Sequence, residues 1–425
     1  MQAVRVRKMN RRIDPKKDTA SARRIDQRHI MKSCWYTLPE EEGLKIEEIE
    51  VFPLRIPYKM AARIASFEYP YVESMHVRIR TSDNLYGYGE AVTDPAFTGE
   101  ITDSISGAIK KHLGPAVLGS DPFALSEVHQ KMDQALVKNT AAKAAVEMAC
   151  LDAVGKATEE PIYNLLGGDF NPDILEVPEI VIGTLADDVR YCEEAVARGV
   201  RSFKVKVGET PDKDVERVKR IRETVGDAAE IRLDANQGWR DYWMALKLAK
   251  RMDKFDISLL EQPLLGHDLK GHAMLRKAID IPIMLDESIH HVNDASAAVQ
   301  LEACDVISVK IMKSGGLMRI KELVEFCSTQ SIPCHMGTSW ETEVGWAANL
   351  NLIRGLPGIK LWDAYSPTDI YWGSTASIGT PIRTYNKNGV SQVRFPEGPG
   401  LGIAVDESAV KKYLIAEPIR VTRNP

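Results

Sequence analysis

Short apolar segments recur between residues 177 and 375, and each is followed by a longer segment whose polar residues fall on one face. Strands that alternate with amphipathic helices in this way are typical of a parallel sheet covered by helices. Eight strands fit into this stretch, which predicts an α/β fold of the (β/α)₈ TIM-barrel type. The predicted strands span residues 179–183, 202–207, 230–234, 257–261, 281–285, 306–310, 332–335 and 359–362.

The chain before this stretch has a different pattern. Three segments alternate between apolar and polar side chains, which predicts a small antiparallel sheet. Between the first two lies segment 58–71, which is polar and aromatic and is predicted to be a loop that covers a site. Helical periodicity then dominates residues 101–166, with breaks expected near Gly114 and Gly119. The predicted strands of the sheet span residues 45–53, 74–80 and 86–92.

The first 43 residues are predicted to be a basic, disordered extension. Residues 1–31 carry ten Lys or Arg against three Asp, and few large apolar side chains. Their arginine content also suits a targeting presequence, but a signal-peptide apolar core is missing. The rest of the chain is expected to form three parts. These are an α+β capping domain over 44–168, the barrel over 169–375, and a C-terminal segment over 376–425 that packs back on the capping domain.

Composition narrows the class of protein. The formal net charge of −5 gives no reason to expect a nucleic-acid partner. The sequence contains no run of about 18 apolar residues, so it predicts no membrane span. The six cysteines show no Cys-x-x-Cys spacing, so we expect free thiols and a cytoplasmic protein.

An ionisable residue stands at the end of five consecutive predicted strands. The C-terminal ends of barrel strands meet on one face, so these side chains are expected to gather in one site. Three carboxylates flanked by two lysines indicate a divalent metal ion with an acid/base group on each side, and hard oxygen ligands suit Mg²⁺. Each acid alone would also fit a helix N-cap, but three N-caps at near-constant spacing beside two lysines are a less economical explanation than a metal site. The residues, spaced by 24 to 28 positions, are Lys206, Asp234, Glu261, Asp286 and Lys310.

Two lysines share the second strand. Side chains on a strand repeat every two residues, so Lys204 and Lys206 face the same side. Their mutual repulsion and partial desolvation are expected to lower the pKa of Lys206 from about 10.4, which would make it a base near neutral pH. Lys310, on the sixth strand, is expected to face Lys206 across the barrel. Such a pair is able to take a proton from one face of a carbon and return one to the other.

Further residues are expected around this centre. Asn236 and Glu287 are predicted to support the metal ligands. Trp340 is predicted either to stack on a cationic substrate group or to cap the core. His335 is interpreted as a structural histidine at a strand end rather than a base. Other predicted substrate contacts, from the ends of strands seven and eight, are Thr338, Glu341 and Asp363.

Together, these motifs resemble the enolase superfamily, and within it the mandelate racemase/muconate lactonizing enzyme subgroup. The resemblance implies an α+β capping domain on a modified barrel, and Mg²⁺, with Mn²⁺ as a substitute, on the three carboxylates. It also implies a small-molecule carboxylate substrate, a metal-stabilised enolate, Lys206 and Lys310 as acid/base groups, and a homo-oligomer. Lys204 would tune Lys206 and touch the substrate carboxylate, and segments 58–71 and 94–99 would close over the site. The motifs are Lys204-Val205-Lys206, Asp234-Ala235-Asn236, Glu261-Gln262-Pro263, Asp286-Glu287-Ser288 and Lys310-Ile311-Met312-Lys313-Ser314-Gly315-Gly316.

The subgroup contains several reactions, and the motifs after strands seven and eight bear on the choice. Residues 337–341 resemble the Gly-Thr-x-x-Glu stretch of muconate cycloisomerases. Dipeptide epimerases often carry Asp-x-Asp after strand eight, whereas this chain has Asp363-Ala364-Tyr365. We expect a racemase or epimerase of an amino-acid derivative. The alternatives are a muconate-type cycloisomerase, a syn-dehydratase and, more remotely, a barrel that only binds a ligand.

Overall fold

The computed structural model of this chain describes residues 43–423. The extension predicted over residues 1–43 lies outside the described residues, apart from Gly43. An antiparallel sheet opens the fold, and its strands follow in the order β15-β1-β2-β3. These strands are β1 (Ile46–Arg63), β2 (Glu68–Thr81), β3 (Tyr86–Val92) and β15 (Ile419–Thr422).

Segment 58–71 is not the loop that its composition predicts. It forms the far end of the β1–β2 hairpin, where Pro57 pairs with Tyr71 and Ala62 with Tyr69. Alternation continues through it, because Ile56 and Tyr58 are buried while their neighbours are exposed. Each strand can therefore bury one side chain in two against the rest of the protein.

Helices of the capping domain cover one face of this sheet. The helical segment runs from Thr102 to Val117 through Pro115, so the break predicted at Gly114 is wrong; a π-helical turn at Ile109–Leu113 precedes the proline. The break near Gly119 is confirmed. The helices are α1 (Thr102–Ala108), α2 (Gly114–Val117), α3 (Leu125–Ala135), α4 (Thr140–Thr158) and α5 (Ile162–Leu166).

Helix α4 sits directly on β3. A Cβ on Gly87 would lie 2.0 Å from the carbonyl oxygen of Ala149, and one on Gly89 would lie 2.0 Å from that of Ala145. Only glycine lets the strand and helix backbones approach so closely. This contact fixes the position of Glu90, the next residue along β3.

Eight parallel strands form the second sheet, in the unbroken order β5 to β12. Its two edges meet at an antiparallel bridge between Val177 and Ala364, which closes the barrel that the sequence predicts. The strands are β5 (Glu179–Ile180), β6 (Ser202–Lys206), β7 (Glu230–Asp234), β8 (Ile257–Glu261), β9 (Ile283–Leu285), β10 (Val306–Val309), β11 (Cys334–Met336) and β12 (Ile359–Trp362).

Helices connect these strands on the outside of the barrel, but among the described residues no helix directly follows the eighth strand. This modifies the expected (β/α)₈ pattern: residues 363–383 instead run irregularly and bury Tyr365 and Trp372. The helices are α6 (Leu185–Arg198), α7 (Pro211–Val225), α8 (Tyr242–Met252) with the 3₁₀ turn Asp253–Phe255, α9 (Leu269–Arg276), α10 (Val292–Gln300), α11 (Ile311–Ser314), α12 (Leu317–Thr329) and α13 (Glu343–Gly355).

The C-terminal segment contacts both parts of the fold. Strand β13 (Thr384–Lys387) pairs with β14 (Val390–Val393), which pairs in turn with β4 (Ile174–Leu175), and helix α14 (Glu407–Tyr413) precedes β15. Strand β15 pairs antiparallel with β1. No helix within residues 43–423 has the length and apolarity needed to cross a membrane. Five cysteines in this range are free and buried.

Candidate active site

The structure brings together the five charged residues that the strand ends predict. Lys206, Asp234 and Glu261 are register partners on three neighbouring strands. Asp286 and Lys310 directly follow β9 and β10. All five are buried, the most exposed being Lys310 at 6%. Charges at this depth require partners, and each ammonium has carboxylate neighbours.

Lys204 lies at the centre of a group of carboxylates. Its Nζ is 2.9 Å from Asp363 Oδ2, 2.9 Å from Glu261 Oε2 and 3.2 Å from Asp234 Oδ2. A fourth carboxylate, that of Glu179, lies 3.5 Å away. Burial disfavours its charge, but these carboxylates, led by Asp363, raise the pKa of Lys204 well above its usual value. These surroundings therefore favour the charged form of Lys204, which lies between the acidic strand ends.

Lys206 and Lys310 occupy opposite walls of the same centre. Lys206 Nζ is 2.7 Å from Asp234 Oδ2, and Lys310 Nζ is 2.7 Å from Asp286 Oδ2. Lys313 bonds the other oxygen of Asp286 at 2.7 Å. The ring of Phe97 lies 4.2 Å from Lys310 Nζ, and so segment 94–99 covers this lysine.

The predicted lowering of the Lys206 pKa is not what the structure gives. Burial lowers it, but the charges of Asp234 and Glu179 outweigh burial and the repulsion from Lys204, so the pKa of Lys206 is raised. The pKa of Lys310 is likewise raised, because Asp286 outweighs burial. The sequence argument counted the neighbouring lysine but not the carboxylates that the barrel brings to it.

The three predicted metal ligands differ in their electrostatics. Burial, and then Asp234, raise the pKa of Glu261 well above its usual value. Burial also acts on Asp234 and Asp286, but their lysine neighbours hold both pKa values below the usual range. The surroundings of Asp234 and Asp286 thus favour the ionised form, whereas those of Glu261 disfavour it.

These residues suit a hard cation in donor chemistry. Within residues 43–423, no three Asp, Glu, His or Cys side chains are arranged as the ligands of a metal ion. The carboxylates of the site instead contact lysine ammonium groups. The Oε1 of Glu261 is nevertheless buried and has no partner among the described residues, and its Oε2 has only the ion pair with Lys204. An unpartnered carboxylate oxygen beside the carboxylates of Asp234 and Asp286 belongs to the donor set that Mg²⁺ prefers.

The predicted supporting residues lie beside this set. The backbone N–H of Asn236 donates to Asp234 Oδ1 at 2.9 Å, and its Nδ2 donates to Glu287 Oε1 at 3.2 Å. Burial, and then the charge of Asp286, raise the pKa of Glu287 to about 8. Gln262 was not predicted: its Oε1 accepts from the N–H of Asp286 at 2.8 Å and so orients the third carboxylate. Its place in Glu261-Gln262-Pro263 was the available signal.

A cavity of about 250 Å³ lies between the β1–β2 hairpin and the mouth of the barrel. From the barrel, Lys206, Lys310 and Asn236 line it, with Thr338 and Trp340. Lys204, the three carboxylates and Glu287 lie behind this lining. The capping domain contributes an aromatic and acidic wall that includes Tyr58, Phe67, Tyr69, Asp94 and Phe97.

Trp340 belongs to an aromatic cluster in the cavity wall. Its ring meets Tyr58 and Tyr69 edge-on, with centroids 6.3 and 5.2 Å apart, and lies 5.0 Å from Trp372. Its Nε1 donates to Glu179 Oε2 at 2.8 Å. Trp340 thus both packs on the core and lines the cavity. Glu179, buried at the start of the short strand β5, was missed because a lone acid in an apolar strand carries little signal.

Two predicted substrate contacts do not line the cavity. Asp363 is fully buried, with Oδ2 on Lys204 and Oδ1 3.2 Å from His335 Nε2. Both carboxylate oxygens of Asp363 already have partners within the protein, so its position does not fit the predicted contact with a substrate cation. Glu341 is buried, and its Oε2 accepts from the N–H of Ser339, two residues before it in the same loop. Burial, and then Glu90, raise the pKa of Glu341 to about 7.

His335 is bonded at both ring nitrogens, as a structural histidine should be. Its Nδ1 lies 3.2 Å from Ser308 Oγ, and its Nε2 contacts Asp363. Burial outweighs Asp363 and lowers the pKa of His335 below its usual value. It lies outside the cavity lining, as expected for a residue without a catalytic role.

Family models match both parts of the chain. The mandelate racemase/muconate lactonizing enzyme N-terminal domain matches residues 46–167, and the enolase C-terminal domain-like model matches residues 187–409.

Known relatives cover most of the chain. This chain is 31% identical over 379 residues to N-succinyl-L-Arg/Lys racemase of Bacillus cereus, and the match covers 88% of this chain and 100% of the relative. Muconate cycloisomerase 1 of Rhodococcus opacus is 30% identical over 377 residues, covering 87% and 98%.

Solved structures agree with this similarity. The crystal structure of the Bacillus cereus racemase has a TM-score of 0.83 at 29% identity, covering 89% of this chain and 100% of that one. That of the Enterococcus faecalis dipeptide epimerase, complexed with Mg and L-Leu-L-Tyr, has a TM-score of 0.78 at 31% identity, covering 85% and 99%.

Proposed function

Because this chain belongs to the mandelate racemase/muconate lactonizing enzyme subgroup of the enolase superfamily and is an isomerase, we propose that it catalyses 1,1-proton transfer at the carbon α to a carboxylate. The substrate is an amino-acid derivative, whose α-carbon is inverted. One observation carries the proposal: two buried lysines, Lys206 and Lys310, line one cavity from the ends of the second and sixth of eight barrel strands, which lie on opposite sides of the barrel.

The lysines divide the proton transfer between them. One lysine, as the neutral amine, takes the α-proton from its face of the carbon, and the other, as the ammonium, donates a proton to the opposite face. In the reverse direction their roles exchange. The neutral form would become accessible when Asp234 and Asp286 are engaged by a metal ion, because these carboxylates raise the pKa values of the two lysines. Each Nζ is held at 2.7 Å by one carboxylate, Asp234 for Lys206 and Asp286 for Lys310, so its position is fixed before the substrate arrives.

An α-proton beside a carboxylate is too weakly acidic for an unaided lysine. Mg²⁺, or Mn²⁺ in its place, would supply positive charge against the charge that develops on the substrate carboxylate. Asp234, Glu261 and Asp286 would hold the ion, with Asn236 and Glu287 supporting them. Lys204, whose surroundings favour its charged form, is proposed to attract the same carboxylate.

The outer wall of the cavity is proposed to bind the nitrogen-bearing end of the substrate. Trp340, Tyr58 and Tyr69 offer aromatic surface to a cationic group, and Asp94 adds a carboxylate at the same wall. Thr338 contributes a hydroxyl. Asp363 and Glu341 are left out of this contact set, because the first is ion-paired and both lie behind the lining.

A cycloisomerase is the second candidate, and the similarity to muconate cycloisomerase 1 favours it. In a one-sided lactonisation, or a syn-dehydration, only one lysine exchanges protons with the substrate. Lys310 would then act mainly through its charge. The two candidates therefore differ in what the loss of Lys310 does to proton transfer.

Proton NMR in D₂O with Mg²⁺ tests the proposal. The substrates are N-acyl amino acids, dipeptides, proline betaines and muconates, and the signal is loss of the α-proton. Exchange with inversion for one class supports the racemase or epimerase and identifies its substrate. A new lactone from a muconate supports the cycloisomerase instead. Metal binding without exchange or lactone formation across the library overturns the proposal and favours a ligand-binding barrel.

A further inference from the structure

Trp340 stands in a strained loop at the end of the seventh barrel strand. This strand-seven loop, residues 337–342, follows β11 and leads into helix α13. The φ angle of Trp340 is +61°, in the left-handed region that bulky residues rarely adopt. Such a conformation persists only where the surroundings hold it on both sides.

A carboxylate from the capping domain holds the C-terminal end of this loop. Glu90, on β3, is fully buried. Its Oε1 accepts from Ser74 Oγ at 2.8 Å and from the N–H of Thr342 at 2.9 Å. Its Oε2 accepts from Thr342 Oγ1 at 2.8 Å and from the N–H of Gly345 at 2.7 Å. Glu90 therefore caps the first turn of helix α13 from outside the barrel.

The loop has one further attachment near Trp340 and one internal bond. The indole Nε1 donates to Glu179 of β5, and within the loop the N–H of Ser339 donates to Glu341 at 3.0 Å. Both acceptors belong to the barrel, whereas Glu90 belongs to the capping domain that supplies Tyr58 and Tyr69 to the same aromatic cluster. The indole and the rings it meets are thus aligned through Glu90.

We propose that Glu90 is a positioning residue that fixes the indole of Trp340 in the cavity wall. The position of Trp340 is inferred from these contacts alone, whereas the effect of Glu90 on the reaction rests on the proposed function. Replacing Glu90 by Gln keeps the size but supplies only one acceptor oxygen. In either orientation of the amide, the N–H of Thr342 or of Gly345 then faces an NH₂ group.

Glu147 provides a matched control. It is a fully buried carboxylate of the capping domain, on α4, and it caps the barrel helix α12. Its Oε2 accepts from the N–H of Leu317 at 2.5 Å and its Oε1 from that of Met318 at 2.8 Å. Glu147→Gln also leaves one backbone N–H facing an amide, but it does so at a helix remote in sequence from Trp340.

Acrylamide quenching of Trp340 fluorescence tests the placement without any substrate. The fluorescence of Trp340 is obtained by subtracting, at each acrylamide concentration, the fluorescence of the same protein carrying Trp340→Phe. We expect the quenching constant of Trp340 to rise at least about twofold in Glu90→Gln and to stay unchanged in Glu147→Gln. Urea unfolding should show a comparable fall in the midpoint urea concentration in both variants, because each leaves one buried N–H without an acceptor. An equal rise in both variants, or none in Glu90→Gln, overturns the inference.

Kinetics test the consequence once a substrate is known. Glu90→Gln is expected to raise KM about tenfold while kcat stays within about twofold, and Glu147→Gln is expected to leave KM unchanged. A fall in kcat with unchanged KM overturns the effect on binding. If the unaltered protein transfers no α-proton, the proposed function fails, and the fluorescence result still decides the position of Trp340.

Discussion

Lys206 and Asp234 are register partners on neighbouring barrel strands, and Nζ of Lys206 lies 2.7 Å from Oδ2 of Asp234. On the other wall, Lys310 stands at the same distance from Asp286. Each proposed acid/base group is thereby held by one proposed metal ligand. Two-sided proton transfer requires this kind of fixed placement on both faces of the substrate.

Replacing either lysine is expected to stop racemisation. Lys206→Ala and Lys310→Ala should each lower its rate by about 10²–10⁴-fold, since each removes the acid/base group on one face. Chiral chromatography of both enantiomers measures the rate, and Lys360→Ala, on the exposed side of β12, is the control. Full racemisation by Lys310→Ala would contradict a two-sided mechanism.

Metal removal is expected to lower both activity and stability. Chelation should abolish proton transfer, and Mg²⁺ at about 100 times its Kd should add about 2.7 kcal/mol to the free energy of unfolding. Glu261→Gln, which keeps the side-chain volume but removes a ligand charge, should lose most of this gain. Urea titrations with and without Mg²⁺ measure it, with the exposed Asp173→Asn as control. An equal gain in both variants excludes Glu261 as a ligand.

Glu341 is expected to make stability depend on pH. Its pKa in the folded protein is about 7, against 4.5 ordinarily, because burial favours the neutral form. The folded state then binds more protons than the unfolded state between these values, so stability falls as pH rises from about 4.5 to 7, by about 3 kcal/mol.

Glu341→Gln should flatten that part of the profile, because the amide stays neutral. Urea unfolding at pH 5 and pH 8 measures the difference. The exposed Glu194→Gln serves as control and should keep the slope of the unaltered protein. An unchanged slope in Glu341→Gln would show that other groups dominate the pH dependence.

Trp340 is expected to act on substrate binding. Trp340→Leu removes an aromatic face from the cavity wall and should raise KM for a cationic substrate about five- to thirtyfold, as loss of a cation–π contact of about 1–2 kcal/mol implies. A neutral analogue should be affected less. Trp243, which is 74% exposed, gives the matched control Trp243→Leu. Equal effects on cationic and neutral substrates would argue for simple packing.

Features that depend on local sequence were predictable. Apolar runs four or five residues long marked the barrel strands, so that 230–234, 257–261 and 359–362 agree with the structure residue for residue. The same runs placed Lys206, Asp234 and Glu261 at strand ends, because a strand shows its period in few residues. The hairpin end at 58–71 was misassigned, since its prolines and polar residues hide the alternation that tertiary burial reveals.

By itself, the sequence determined the barrel, the charged strand ends and the chemistry that they suggest. Only the tertiary structure decided which of these groups meet. Asp363 forms an ion pair with Lys204 instead of lining the cavity, Glu179 accepts a hydrogen bond from Trp340, and Glu90 accepts one at the start of α13. The tertiary structure also reversed the expected direction of the Lys206 pKa. The physical reason is that strand position follows from local periodicity, whereas partners and pKa values depend on groups far apart in the chain that folding brings within a few ångströms.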